Sequence, residues 1–150
     1  MQDTLNISCP VSAERINENV ARVAAFFAMV IAAAGVALNS YIIIIALAID
    51  FALRAFTQGK ASPIKFLSKQ VVQLLKIKEK PADAAPKKFA AGVGMVFCIS
   101  IACMLLFNYF LAAAVIAGLL IFCALLEGAA GICLGCIVYT LIVLPFLKHK

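Results

Sequence analysis

Two cysteines three positions apart offer the clearest chemistry in this chain. Cys133 and Cys136 stand in the run CLGC. On a helical turn that spacing puts both sulfurs on one side, where they can close a disulfide or share a soft metal ion. Gly131 and Gly135 flank them, as a redox or metal site would use. Cys9, followed by Pro10, is a third candidate, because it lies in a polar stretch where burial does not explain a cysteine. Three thiolates supply most of a zinc-type site, or a dithiol with a third exchanging cysteine. Glu127 is the only acid after Asp83 and sits within an apolar stretch. An ionisable residue at membrane depth is a functional candidate by default, here a proton acceptor near the thiols. The competing expectation is an interfacial carboxylate paired with Arg15 or Arg22.

The other three cysteines, Cys98, Cys103 and Cys123, read as small apolar packing residues. There is no nucleotide-binding loop and no HExxH, and the single histidine, His149, lies at the tail, so hydrolytic or kinase chemistry has no visible parts.

The elements that must position these groups are membrane helices. Hydrophobic residues make up 65% of the chain and charged residues 13%, with a mean hydropathy of +1.09. Soluble domains carry roughly 45 to 50% apolar and about 25% charged residues. A bilayer core about 30 Å thick takes roughly 20 apolar helical residues per crossing. The apolar stretches 23–49 and 89–126 exceed that, and 128–147 adds a third. The first nineteen residues are polar and lack the basic leader and apolar core of a cleavable signal.

The stretch 23–49 as one helix would measure about 40 Å, so the punctuation at Gly35, Asn39 and Ser40 predicts a hairpin, with crossings at 17–38 and 39–56. Segment 57–88 is polar and basic. Ser62 followed by Pro63 gives a helix start, and 62–78 reads as an amphipathic helix in the headgroup layer. Its apolar stripe is Ile64, Leu67, Val71, Leu74 and Leu75, opposite Lys65, Lys69, Gln73 and Lys76. Pro81 to Pro86 reads as a linker into a third crossing at 89–107. The remaining apolar length, 110–147, is too long for one straight crossing and is expected to break near 128–131. Unbroken, it would point Glu127 and Cys136 about 180° apart. Asp50 and Arg54 are spaced to pair along one helix face, and with Arg15, Glu18 and Arg22 they can build an anchoring polar network.

Nine of the thirteen basic residues fall between Arg54 and Lys88. That asymmetry marks a cytoplasmic segment and argues against nucleic acid as the partner of a chain with net charge +6. With four crossings both termini are cytoplasmic, residues 1–16 form a cytoplasmic tail, and Cys9 and the CLGC pair share one face. The expected architecture is an all-α, polytopic transmembrane bundle of about four crossings, forming a single membrane domain with an interfacial helix between the second and third.

Several separated blocks point to relatives: CPV from Cys9, RINENVAR from Arg15, AIDFALRAF from Ala48, SPIKFLSK from Ser62, APKKFAAGVG from Ala85 and LEGAAGICLGCIVY from Leu126. Together they resemble the bacterial membrane family DUF4395 over nearly the whole chain. The resemblance implies a small bacterial inner-membrane protein, and it places Cys9, Cys133 and Cys136 within family-like motifs but not Cys98, Cys103 or Cys123. It supplies no activity. The leading functional expectation is therefore a thiol-redox or sulfur-handling membrane protein with a thioredoxin-like or sulfur-transfer partner and a dithiol at Cys133 and Cys136. In that reading Cys9 is the exchange partner and Glu127 the proton acceptor. The alternatives are a protein binding zinc or another soft metal through Cys9, Cys133 and Cys136, and an accessory subunit without chemistry. A homo-oligomer is compatible with each.

Overall fold

The computed structural model describes residues 15–57, 60–131 and 133–148. Cys9, His149 and Lys150 lie outside the described residues. Helix α1 (Glu18–Ala37) starts at Asn17, whose side chain accepts the Asn19 N–H at 3.0 Å. At the other end Asn39 takes a left-handed φ of 50°, and the Ser40 N–H reaches back to the Gly35 carbonyl at 2.8 Å. Asparagine tolerates that conformation better than most residues because its short polar side chain bonds locally. The chain then enters helix α2 (Tyr41–Phe56).

A second hairpin repeats this turn. Helix α4 (Ala84–Leu106) and helix α5 (Phe110–Ala130) are joined through Asn108 at φ 62°, with the Tyr109 N–H bonded to the Met104 carbonyl at 2.8 Å. The two hairpins close into a ring in which α1 packs on α2 and α5, and α4 packs on α2 and α5.

Residue size is sorted across the ring. Its interior is built largely from Ala28, Ala32, Cys98, Ala102, Ala113 and Ala117 around Ile44, Leu47 and Ile101. Its outer faces expose Ile42, Ile49, Val96, Leu111, Val115 and Phe122. Small interior residues let helices approach where no hydrophobic effect drives them together. Helices α1, α4 and α5 are long and apolar enough to cross a membrane. Helix α2, with 16 residues, spans about 24 Å.

Between the hairpins lies helix α3 (Pro63–Leu74), whose start follows the expected chemistry: Ser62 Oγ accepts the Lys65 N–H at 3.2 Å, and Pro63 opens the helix. Its faces differ from the expected single stripe. Ser68 and Val72 are buried where the helix packs on α1, and the Ser68 hydroxyl bonds the Ile64 carbonyl at 2.7 Å. Leu67 and Leu74 remain exposed, Lys69 lies on roughly the opposite side at 100° per residue, and the exposed Phe66 falls between them. The helix thus has a bundle face, an apolar outer face and a basic face.

The expected linker is partly a strand. Strand β1 (Arg15–Asn17) pairs antiparallel with strand β2 (Pro81–Asp83), Ile16 opposite Ala82, so the described residues are helical apart from one small ribbon and the turns. Backbone and side chain hold it: Glu18 N–H to the Lys80 carbonyl at 2.8 Å, Asn19 Nδ2 to the Lys78 carbonyl at 2.6 Å, and Lys80 N–H to Asn17 Oδ1 at 3.3 Å. Helix α4 consequently begins at Ala84, five residues before the expected Phe89. Pro86 fits in its first turn, where a missing N–H leaves no bond unmade.

The last apolar stretch breaks at Gly131, which caps α5 with φ 70°. Helix α6 (Leu134–Val138) runs through a π turn at Tyr139–Val143 into helix α7 (Leu144–Lys148). Pro145 accounts for the widened turn, since its ring crowds the preceding carbonyls and offers no N–H. The apolar run Leu134–Phe146 is about 20 Å long, well short of a crossing.

Candidate functional site

One end of the ring gathers the first turns of α1 and α4, the last turns of α2 and α5, and the break before α6. Glu127 near the end of α5 meets Lys87 in the first turn of α4, Oε1 to Nζ at 3.3 Å, with both side chains largely buried. The early start of α4 makes this pair, because it brings Lys87 into the helix beside α5. The expected pairing of Glu127 with Arg22 is corrected: Arg22 instead bonds Glu18 at 3.0 Å, and Glu18 also meets Lys80 at 3.4 Å. The side chain of Arg15 lies outside the described residues.

The expected polar network divides in two. Apart from the Glu18 cluster, Asp50 meets Arg54 at 2.6 Å on α2 and is almost wholly buried. Asp50 also accepts the Ser62 hydroxyl at 2.5 Å and the Ile64 N–H at 3.3 Å. It thereby ties the start of α3 to the end of α2. Arg54 stacks over the Phe51 ring at 5.2 Å, a cation–π contact that holds the guanidinium toward the bundle.

The thiols come next to the Glu127–Lys87 pair through the break. The Gly131 N–H returns to the Glu127 carbonyl at 3.1 Å, and a side chain at Gly131 would collide with the Arg22 guanidinium. Cys133 is extended and caps α6, its Sγ accepting the Cys136 N–H at 3.3 Å. Gly135 lets α6 lie directly on α4: a Cβ there would stand 2.6 Å from Ala90 Cβ and 2.8 Å from Ala90 Cα. One turn on, the Tyr139 ring packs against Phe89 with centroids 5.6 Å apart. Cys133 and Cys136 are both free thiols.

The break and α6 lie outside the three helices long enough to span a membrane. Here the two thiols are driven apart in acidity. A hydrogen bond from Cys136 holds Cys133 below the ordinary thiol range; burial and the Glu127 charge oppose this, and Lys87 assists it. The same bond, with burial, pushes Cys136 up. Of the two thiols, Cys133 is therefore the more acidic.

Cys133 and Glu127 line a cavity of about 260 Å³ between α1, α2, α4, α5 and α6. Phe51, Phe97, Arg54 and Cys123 also face it, so the walls are mostly apolar with charge at one end. Cys98 is buried in the core and Cys103 is exposed on α4. Among the described residues no three His, Cys, Asp or Glu side chains converge as a metal site would need. A zinc-type site therefore needs a ligand beyond Cys133 and Cys136, and Cys9, the one expected, lies outside the described residues.

Lys87 is the site residue that reading the sequence missed. Its signal was local: paired with Lys88 just ahead of an apolar span, it looked like a charge flank.

The sequence matches the family described as "Domain of unknown function (DUF4395)" over residues 16–143. The chain belongs to the DUF4395 family. Within DUF4395 the matched region takes in Glu127, Cys133, Cys136 and Lys87, and Cys9 falls before it. No curated protein and no solved structure matches the chain.

Proposed function

We propose that this DUF4395 chain is an integral membrane dithiol protein that exchanges or carries sulfur through Cys133 and Cys136 at the cytoplasmic end of a four-crossing bundle. The observation that carries the reading is the CLGC geometry: Cys133 Sγ accepts the Cys136 N–H at 3.3 Å beside the Lys87–Glu127 pair. Low thiol pKa values at helix starts and near cations are what make a cysteine reactive.

The membrane part of the reading rests on apolar outer faces, small interior residues and three helices of spanning length. Helix α2 makes the fourth crossing, because its three-residue turn from α1 leaves it no other course. The basic segment 57–88 and both chain ends then share the cytoplasmic side of a bacterial inner membrane. Helices α6 and α7 run along the interface.

In exchange, the Cys133 thiolate attacks a partner disulfide, forming a mixed disulfide and releasing one partner thiolate. Cys136 then attacks Cys133 Sγ, closing the Cys133–Cys136 disulfide and releasing the second partner thiolate. Two electrons pass to the partner, and Glu127 takes up the Cys136 proton before passing it on. Incubating the reduced protein with a disulfide substrate tests this. Wild type is expected to release two thiols per chain from this pair, and Cys133→Ser none. Equal release by wild type and Cys133→Ser would overturn the proposal. Metal content of the purified chain separates the zinc-type reading, which predicts stoichiometric metal lost on replacing the same cysteines.

A further inference from the structure

The thiol cavity is the first of three cavities linked by shared lining residues. A second cavity of about 110 Å³ shares Phe51, Arg54, Ala90 and Glu127 with it, and reaches Lys65, Lys87 and Lys88. A third, of about 540 Å³, shares Ile16, Asn17, Val20 and Lys65 with the second, and opens at Lys69 on the basic face of α3 and at Lys76 just past its end. The ribbon and the strap before it, clipped to the start of α1 by Lys80 and Asn17, wall this course.

Charge along the two outer cavities is one-sided. Six basic side chains line them, Arg54, Lys65, Lys69, Lys76, Lys87 and Lys88, against the carboxylates Glu79 and Glu127. Arg54 has Asp50 behind it and Lys87 has Glu127, while in the outer groove Lys69 and Lys76 are exposed and Glu79 is the one carboxylate in its lining. A channel lined by one sign of charge between low-dielectric walls concentrates the opposite ion and raises its rate of arrival.

We infer that the exchange substrate of Cys133 is a small anionic disulfide, which enters along the basic face of α3 and passes Lys65 and Arg54 to the thiol cavity. This rests on the dithiol reading above and names its substrate class. The apolar inner walls at Phe51 and Phe97 receive the body of the molecule, and its acidic groups stay with the lysines. Cys133 attacks the nearer sulfur of that disulfide, the S–S bond breaks, and the leaving thiolate carries its negative charge back through the same basic groove. Cys136 releases the second thiol by closing the protein disulfide, so the two electrons lost by the protein are those gained by the substrate.

The test uses two methanethiosulfonate reagents of similar size, one bearing a sulfonate and one a trimethylammonium group. The full chain carries Cys136→Ser, so that the Cys133 adduct persists and mass spectrometry counts it. Each rate is divided by the reagent's rate with a small free thiol. The anionic reagent is expected to modify Cys133 about tenfold or more faster than the cationic one. The preference is expected to fall several-fold in Lys65→Gln/Lys69→Gln/Lys76→Gln, and in about 0.5 M salt. A normalised ratio of one or below, or a preference unchanged in the triple variant, overturns the inference while leaving the dithiol reading standing. If neither reagent modifies Cys133, the dithiol reading fails and takes this inference with it.

Discussion

Replacing Gly135 by alanine puts the thiol site under a known load. The added Cβ would stand 2.6 Å from Ala90 Cβ and 2.8 Å from Ala90 Cα. Neither is a flexible tip that can swing aside, so α6 must retreat from α4 by roughly 1 Å to restore ordinary packing distances. Overpacking of that kind costs about 1–3 kcal/mol. The retreat carries Cys133 and Cys136 away from Lys87, weakening one of the effects that lower the Cys133 pKa. Gly92 on α4 is the control: a Cβ there meets nothing within 4 Å, and alanine in a helix interior is worth about 0.5–1 kcal/mol over glycine. Thermal unfolding in detergent, followed by far-UV circular dichroism, should show a lower midpoint for Gly135→Ala and an equal or higher one for Gly92→Ala. Alkylation of Cys133 at neutral pH should slow only in the first. Adding Ala90→Gly should rescue Gly135→Ala only in part, because it removes the clash with the Ala90 methyl and leaves the clash with the backbone at that position. A Gly135→Ala protein as stable as wild type, with unchanged Cys133 alkylation, would refute the close packing on which the site depends.

Three further outcomes follow from the same geometry. Asp50→Asn keeps the shape but leaves Arg54 buried without its counter-charge, so it should destabilise by about 3–5 kcal/mol, read as a lower unfolding midpoint; a midpoint within error of wild type contradicts the pairing. Cys136→Ala removes the hydrogen bond that is the largest cause of the lowered Cys133 pKa. In wild type, Cys133 alkylation should therefore rise at lower pH than for an ordinary thiol, and in Cys136→Ala the rise should move to higher pH; superimposable profiles would contradict this. At the far end of the ring, Asn108→Val forces a β-branched residue into φ 62° and should cost about 1–2 kcal/mol. Asn108→Gly should be near neutral, and equal midpoints for the two variants would argue against the left-handed turn.

Where local chemistry decided the structure, the sequence was legible. Asn39 with Ser40 and Asn108 with Tyr109 marked both hairpin turns, and Ser62 with Pro63 marked the start of α3, because capping and left-handed turns depend on a few adjacent residues. The glycines after Glu127 marked the break that releases Cys133 from α5. What sequence reading missed depends on pairings distant along the chain. The ribbon joins residues more than sixty positions apart, and β2 has no strand signal of its own. With the ribbon hidden, the early start of α4 was hidden too, and so was the meeting of Lys87 with Glu127. On α3 the periodicity separated apolar from basic residues correctly. It could not tell which third of the surface the bundle takes, and Ser68 and Val72 hold that place.

The most direct test of the account is a redox titration of the full chain in its membrane, read by mass spectrometry of the peptide containing Cys133 and Cys136. The account predicts a reversible transition between two free thiols and a single Cys133–Cys136 disulfide, centred within the range of exchanging dithiols. A pair that stays reduced across the whole titration, or pairs with other cysteines instead, would contradict it.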